Sequence, residues 1–193
     1  MRRRLARLGD RHPLAGLHLL DAESGQWNVP QVAAEGGGTD AVLIGWALRR
    51  RGLVVRAADR LTSLEDLRGR RLITRQPGSG AELLLAHLLK QSGIGDSDIT
   101  LIGPARSETD AAQAVAQGAA DAALGLEAGA AQLGLSFVPI IEERFDLLLD
   151  RTAYFEPPLQ AFLDFCQTQA LRDQAQALGG YDMRDLGRVR WNG

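Results

Sequence analysis

The chain has 193 residues, a formal net charge of −2 and a hydrophobic share of 45%, ordinary globular values that allow a buried core in one domain or in two small lobes. That charge argues against a general nucleic-acid binder, whose affinity needs an excess of cations. Cys166 is the only cysteine, which excludes an internal disulfide, and no apolar run reaches signal-peptide or membrane-spanning length, so a cytoplasmic protein with no membrane partner and no direct nucleic-acid partner is expected.

Short apolar runs alternate with helical patterns and turn residues, the arrangement of βαβ units in a mainly parallel sheet. The basic stretch Arg2, Arg3, Arg4, Arg7 and Arg11 reads as the solvated face of a first helix, with nucleic-acid contact as the alternative. Leu14 to Leu20 is a buried strand closed by a turn at Asp21 to Gly25, and Gly36 to Gly38 is a loop. Strands are predicted at Ala41 to Leu48 and Leu53 to Val55. Ser63-Leu64-Glu65-Asp66 is a capping-box pattern that opens a short helix ended by Gly69, ahead of a strand from Arg71 to Thr74. The clearest helix runs from Ser79 to Gln91, with Ala81, Leu84, Leu85, Leu88 and Ser92 on one face and Gly93 just past its end. A strand at Ile99 to Ile102 precedes an alanine-rich helix from Thr109 to Gln117, and the strand Ala122 to Leu126 leads into a helix from Glu127 to Gln132. Strands follow around Phe137 to Ile141 and Phe145 to Leu149, with Glu142-Glu143 read as a solvated turn, and residues 157–178 form two helical segments.

Two strand-to-helix turns carry the candidate chemistry. In Gln76-Pro77-Gly78-Ser79-Gly80-Ala81-Glu82 the glycines permit close backbone approach, the first-turn N–H groups point outward, and Ser79 adds a hydroxyl, so a small oxyanion can be held without formal positive charge. The same residues fit a capping box between Ser79 and Glu82, and both readings stand. Arg106-Ser107-Glu108-Thr109-Asp110 is a second polar turn, with Ser107 or Thr109 as cap and Asp110 completing a capping box. Two such helix starts after strands predict a shared rim at the carboxyl ends of a parallel sheet, where open α/β sheets bind ligands. Arg75 either draws an anion to the first turn or is a surface charge at a strand end. His12, His18 and His87 have no metal-ligand spacing, so no metal is expected, and His18 reads as a core histidine. With no P-loop, no G-x-S-x-G elbow and no G-x-G-x-x-G fingerprint, no catalytic residue and no cofactor are assigned.

A further set of segments, in order along nearly the whole chain, carries a family resemblance. It comprises Ala15-Gly-Leu-His-Leu-Leu-Asp21 with Ser24-Gly25 and Asn28, Gly52-Leu53, Ser63-Leu-Glu-Asp-Leu67, Arg75-Gln76 and Gly78-Ser-Gly80. It continues through Ala114-Val-Ala with Gly118, Ala120-Asp-Ala122, Gly125 with Glu127, Phe137-Val-Pro139, Glu142-Glu-Arg144 and Leu178-Gly-Gly-Tyr-Asp182. These resemble the periplasmic molybdate-binding-like domain, a type II periplasmic-binding-protein fold of bacterial and archaeal cytoplasmic proteins, often fused to a DNA-binding domain or a molybdopterin-biosynthesis protein.

The resemblance implies an α/β fold of two lobes with mainly parallel sheets joined by crossing strands: residues 1–61 with 144–193 as lobe 1, and residues 62–143 as lobe 2. It implies a non-catalytic binding or sensor domain for a small oxyanion such as molybdate or tungstate. Ser79 and Thr109 would give hydroxyls, and Gly78, Gly80 and Asp110 backbone N–H groups. A DNA-binding or molybdopterin-biosynthesis partner protein is implied as well. Relatives begin with a strand ending in a Gly-Ser-His-Asp-like turn that this chain lacks. An incomplete first lobe is therefore expected, with a homodimer as one way to complete it. Glu82 stands where relatives often carry arginine, and Asp110 where a histidine is expected. Two rival readings are an enzyme acting on a phosphorylated or pterin-like small molecule, and a protein-interaction module that has lost anion binding.

Overall fold

The structure, a computed structural model, describes residues 13–35 and 40–193. The basic arm, His12 and the Gly36 to Gly38 loop lie outside the described residues. The chain divides into two compact units, residues 1–49, 143–177 and 181–193 in the first and residues 50–142 and 178–180 in the second. Residues 50–61, expected in the first lobe, belong to the second unit.

In the first unit β1 (Leu14–Leu17) pairs antiparallel with the later half of β6 (Ser136–Asp150), from Leu14 opposite Leu149 to Leu17 opposite Asp146. The first half of β2 (Ala41–Val55) pairs antiparallel with β7 (Tyr181–Asp182) and β8 (Val189–Asn192). Successive strand residues point to opposite faces, and both faces are buried. Ala41, Leu43 and Leu148 pack with Leu17 and Val32, the latter from helix α1 (Val29–Glu35). Val42, Ile44, Leu147 and Leu149 pack with Leu159 on the opposite face. Double burial explains why these strands read as continuous apolar runs rather than alternating ones.

The second unit has the strand order β2, β5 (Ala122–Leu126), β3 (Arg71–Arg75), β4 (Thr100–Ala105). β3 runs parallel to both β4 and β5, while β2 is antiparallel to β5. The mainly parallel sheet expected from the βαβ pattern resides here. Helix α2 (Gly80–Gln91) follows β3, α3 (Glu108–Ala116) follows β4 and α4 (Glu127–Gln132) follows β5. Asp121 fastens the start of β5 to that of β3: its carboxylate accepts from the Arg71 backbone N–H at 2.9 Å and the Arg71 guanidinium at 2.7 Å. These bonds, led by the Arg71 side chain, hold its pKa well below the usual carboxylate range.

Four expectations need correction. The two strands predicted at 41–48 and 53–55 are one strand, β2, and those around 137–141 and 145–149 are one strand, β6. The polar residues taken as breaks find partners inside the protein: Arg51 pairs with Glu108, and Glu143 with Arg49 and His18. Glu143 is therefore fully buried in a strand, not part of a solvated turn. The Leu14 to Leu20 strand stops at Leu17, because Asn28 takes the next backbone donor: the Leu19 N–H bonds its side-chain oxygen at 2.7 Å. The short helix expected to open at Ser63 and end at Gly69 is a single 3₁₀ turn, Glu65–Leu67, preceded by a turn in which the Asp66 carboxylate accepts from Thr62 and Ser63. Gly52 shows why β2 continues through its glycine. An added Cβ would lie 1.9 Å from the Val138 carbonyl oxygen, so only glycine lets the two backbones pass so closely. Helices α5 (Arg151–Tyr154), α6 (Pro157–Cys166) and, up to Ala177, α7 (Gln169–Leu178) also belong to the first unit.

Candidate functional site

β4 lies on one side of β3 and β5 on the other. The chain therefore moves outward from β3 to β4 through α2, then back across β3 to β5 through α3. Right-handed crossovers in opposite directions lay α2 and α3 on opposite faces of the sheet. In agreement, Ala111, Ala112 and Val115 of α3 pack on Val54 and Ala123, with no residue of α2 in that cluster. Both helices begin at the carboxyl ends of adjacent parallel strands, the end of the sheet at which open α/β folds take ligands.

Arg75, the last residue of β3, ties the two turns together. Its guanidinium donates to the Arg106 carbonyl at 3.1 Å and to the Gln76 side-chain oxygen at 3.1 Å. At the first turn Ser79 is the N-cap of α2, its hydroxyl oxygen accepting from the Glu82 N–H at 3.2 Å. The Glu82 carboxylate accepts from the Gly78 N–H at 3.1 Å. At the second turn Ser107 caps α3 with a full capping box: Asp110 N–H donates to the Ser107 hydroxyl and Ser107 N–H to the Asp110 carboxylate, both at 3.0 Å.

These bonds revise the donor set. The N–H groups of Gly78 and Asp110, expected to face an anion, are each held within their own cap, because a carboxylate four residues away and a hydroxyl three residues away reach them at small entropic cost. Ser107 rather than Thr109 is the cap, since Thr109 is already inside the helix. Among the described residues the N–H groups of Gly80, Ala81, Glu108 and Thr109 have no protein partner. Gly80 is buried, Ser79 half-buried and Thr109 exposed. The Ser79 hydroxyl uses its oxygen as an acceptor and keeps its hydrogen to give. The rim as folded therefore offers four helix-start N–H groups, two hydroxyls and a strand-end guanidinium, all groups that stabilise an anion.

Arg51 was missed by sequence reasoning. It pairs with Leu126 at the carboxyl end of β5 and is fully buried, with its guanidinium 2.6 Å from the Glu108 carboxylate. Its neighbour Arg50 turns outward to Glu127 at 2.6 Å. The period-two alternation of a strand through Arg49-Arg50-Arg51-Gly52 was the available signal, masked by reading three arginines as a break. In the first unit a second polar cluster surrounds Glu143. Arg49 contacts one carboxylate oxygen, His18 Nδ1 lies 3.2 Å from the other, and the Arg49 guanidinium stacks 4.2 Å over the Phe145 ring. His18 is thus the partnered histidine that its apolar surroundings predict.

A cavity of about 520 Å³ runs beside α2 and β4, lined by Leu85, Leu89, Ile94, Leu101 and Lys90; it includes Glu82 but none of Arg75, Gly78, Ser79, Gly80, Thr109 and Asp110. No group of three His, Cys, Asp or Glu side chains placed to hold a metal occurs among the described residues. No described helix is long and apolar enough to cross a membrane.

Comparison with known proteins gives consistent results. The family described as PBP superfamily domain matches residues 6–167. The uncharacterized protein YvgK of Bacillus subtilis (strain 168) is 32% identical over 183 residues, covering 91% of this chain and 58% of YvgK. The chain thus spans under two thirds of that relative. Among solved structures, the periplasmic aliphatic sulphonate binding protein SsuA from Escherichia coli superposes with a TM-score of 0.56 at 21% identity, covering 92% of this chain and 63% of SsuA. The CcmR regulatory domain of Synechocystis PCC6803, solved in complex with 2-PG, gives 0.60 at 16% identity, covering 86% of this chain and 76% of that one. At these identities the two structures establish the fold.

Proposed function

Because this chain belongs to the PBP superfamily domain family, we propose that it is a non-catalytic small-molecule-binding or sensor domain whose ligand is a small oxyanion, molybdate and tungstate being the first to test. The observation that supports the reading is the Arg75 bridge between the two turns, its guanidinium donating to the Arg106 carbonyl, beside helix starts whose Gly80, Ala81, Glu108 and Thr109 N–H groups have no protein partner among the described residues. In this reading the N–H groups and the Ser79 and Thr109 hydroxyls bind the anion, and Arg75 adds positive charge and keeps the turns in register. Gly78 and Asp110 act as cap residues that hold the turns in shape. Oriented backbone dipoles stabilise an anion without a neutralising counter-charge, so a rim with acidic caps remains compatible with anion binding. The printed ligands of two structural neighbours, a sulphonate-binding protein and a domain bound to 2-PG, support an anion as the ligand class.

Isothermal titration of the purified chain with molybdate, tungstate and sulfate tests the proposal. Binding of one of them, weakened about tenfold or more by Ser79→Ala and by Thr109→Ala, is the expected result. A tenfold loss corresponds to about 1.4 kcal/mol, the worth of one strong hydrogen bond. Absence of heat with all three at ~1 mM ligand, a threshold of only about 4 kcal/mol of binding, refutes it.

A further inference from the structure

In the first unit one carboxylate serves three guanidiniums. Asp185 accepts from Arg144 of β6 at 3.2 Å and from Arg190 of β8, and the Arg188 guanidinium lies 3.5 Å from it. Among the described residues no other carboxylate pairs with these arginines. The buried Asp146 feels the Arg144 charge but bonds Asn28 instead. Each guanidinium brings more N–H donors than one carboxylate has oxygens, so the cluster is short of acceptors. The Arg190 Nε–H is buried with no acceptor among the described residues, a costly state for a donor. The strands fix this arrangement, since β6 and β8 both pair with β2. The Gly45 N–H of β2 donates to the Arg188 carbonyl at 2.8 Å, and the Gly187 N–H to the Gly45 carbonyl at 2.9 Å. A Cβ at Gly45 would lie 2.6 Å from the Asp185 carbonyl oxygen, so glycine lets this loop settle on the strand beside Arg190. Tying the loop down takes one guanidinium. Three positive charges against one negative leave two in surplus, and Arg188, 70% exposed, opens the cluster to solvent.

We infer that Arg144, Arg188 and Arg190 form a binding site for a dianionic oxyanion group of the phosphate type, organised by Asp185. Guanidinium forks take two oxygens side by side, and a dianion matches the two surplus charges. Every residue of this site belongs to the first unit, so it does not depend on the reading of the two helix starts in the second. The phosphate group is either free or carried by a small molecule; the recognised chemistry is the same.

The test titrates the wild-type chain, Arg188→Gln, Arg188→Lys, the double variant Arg144→Gln/Arg190→Gln and the helix-start variant Ser79→Ala. The probes are inorganic phosphate and glycerol phosphate, with chloride as control, and backbone amide resonances report where each binds. Both phosphates should shift the amides of residues 185–190 in the wild type and equally in S79A, and chloride should not. R188Q should weaken this binding about three- to tenfold, and R188K, which keeps the charge without the fork, by less. The double variant should abolish it; if that chain does not fold, the R188Q and R188K pair carries the test. Tighter binding of glycerol phosphate supports a carried phosphate group, and tighter binding of inorganic phosphate a free ion. Shifts confined to residues 78–81 and 107–110 overturn the inference and leave the helix-start reading intact. Affinity unchanged in R188Q, or no shift at residues 185–190 up to ~10 mM phosphate, overturns it as well.

Discussion

Asp146 offers a test of the fold that is independent of any ligand. Its side chain is fully buried on β6; Oδ2 accepts from Asn28 Nδ2 at 2.8 Å, and Oδ1 accepts no hydrogen bond from the described residues. Burial is the largest influence and pushes its pKa from 3.8 up to about 6, opposed by the Asn28 hydrogen bond and the Arg144 charge and aided by Asp185. Because the folded pKa is raised, the native state holds a proton that the unfolded chain has released between pH 3.8 and about 6. Stability from this residue therefore falls as pH rises through that window and is flat above it. A rise of this size, at 1.36 kcal/mol per pH unit, amounts to roughly 3 kcal/mol forfeited by the ionised form. Asp146→Asn keeps the shape and an acceptor for Asn28 but cannot ionise. Urea denaturation should show D146N more stable than wild type by about 1–3 kcal/mol at pH 8, with the difference vanishing near pH 4. Equal pH slopes in the two proteins, or a D146N chain less stable at pH 8, would show that Asp146 is not a desolvated acid.

Gly52→Ala should destabilise by at least about 2 kcal/mol, since its Cβ meets a backbone carbonyl at 1.9 Å and neither strand can move alone; a denaturation midpoint equal to wild type contradicts the close approach. Asp121→Asn removes the negative charge and one of the two acceptor oxygens that serve Arg71 and Arg56 and should cost about 2 kcal/mol at pH 7. Asp121 has a depressed folded pKa, so its contribution is complete above 3.8 and is lost as pH falls through the folded value; the D121N penalty should therefore shrink in strongly acidic buffer. Arg75→Ala should leave the melting temperature nearly unchanged, since this guanidinium is only partly buried, yet weaken oxyanion binding by about three- to tenfold; unaltered affinity in titration would remove Arg75 from the site.

Most elements of the second unit were readable because local chemistry agrees with the fold. The helix Gly80–Gln91 has its cap serine, its apolar face and its terminal glycine in sequence, and the strand Ala122–Leu126 and helix Glu127–Gln132 are found at the predicted bounds. The two capped turns after strands were equally legible. Sequence spacing could not rank cap against ligand, because one set of atoms serves both, and the hydrogen bonds of Gly78 and Asp110 settle that for two of the expected donors.

Residue order by itself determined the α/β class, the capped start of the helix after β3 and the presence of apolar strand segments, since capping and periodicity depend on neighbours within a few positions. Only the tertiary structure decided that Arg49, Arg51 and Glu143 belong to strands. Their partners stand 94, 57 and 125 residues away for Arg49–Glu143, Arg51–Glu108 and His18–Glu143. A buried charge is tolerated only where a distant opposite charge meets it, and no local pattern encodes where that partner will lie.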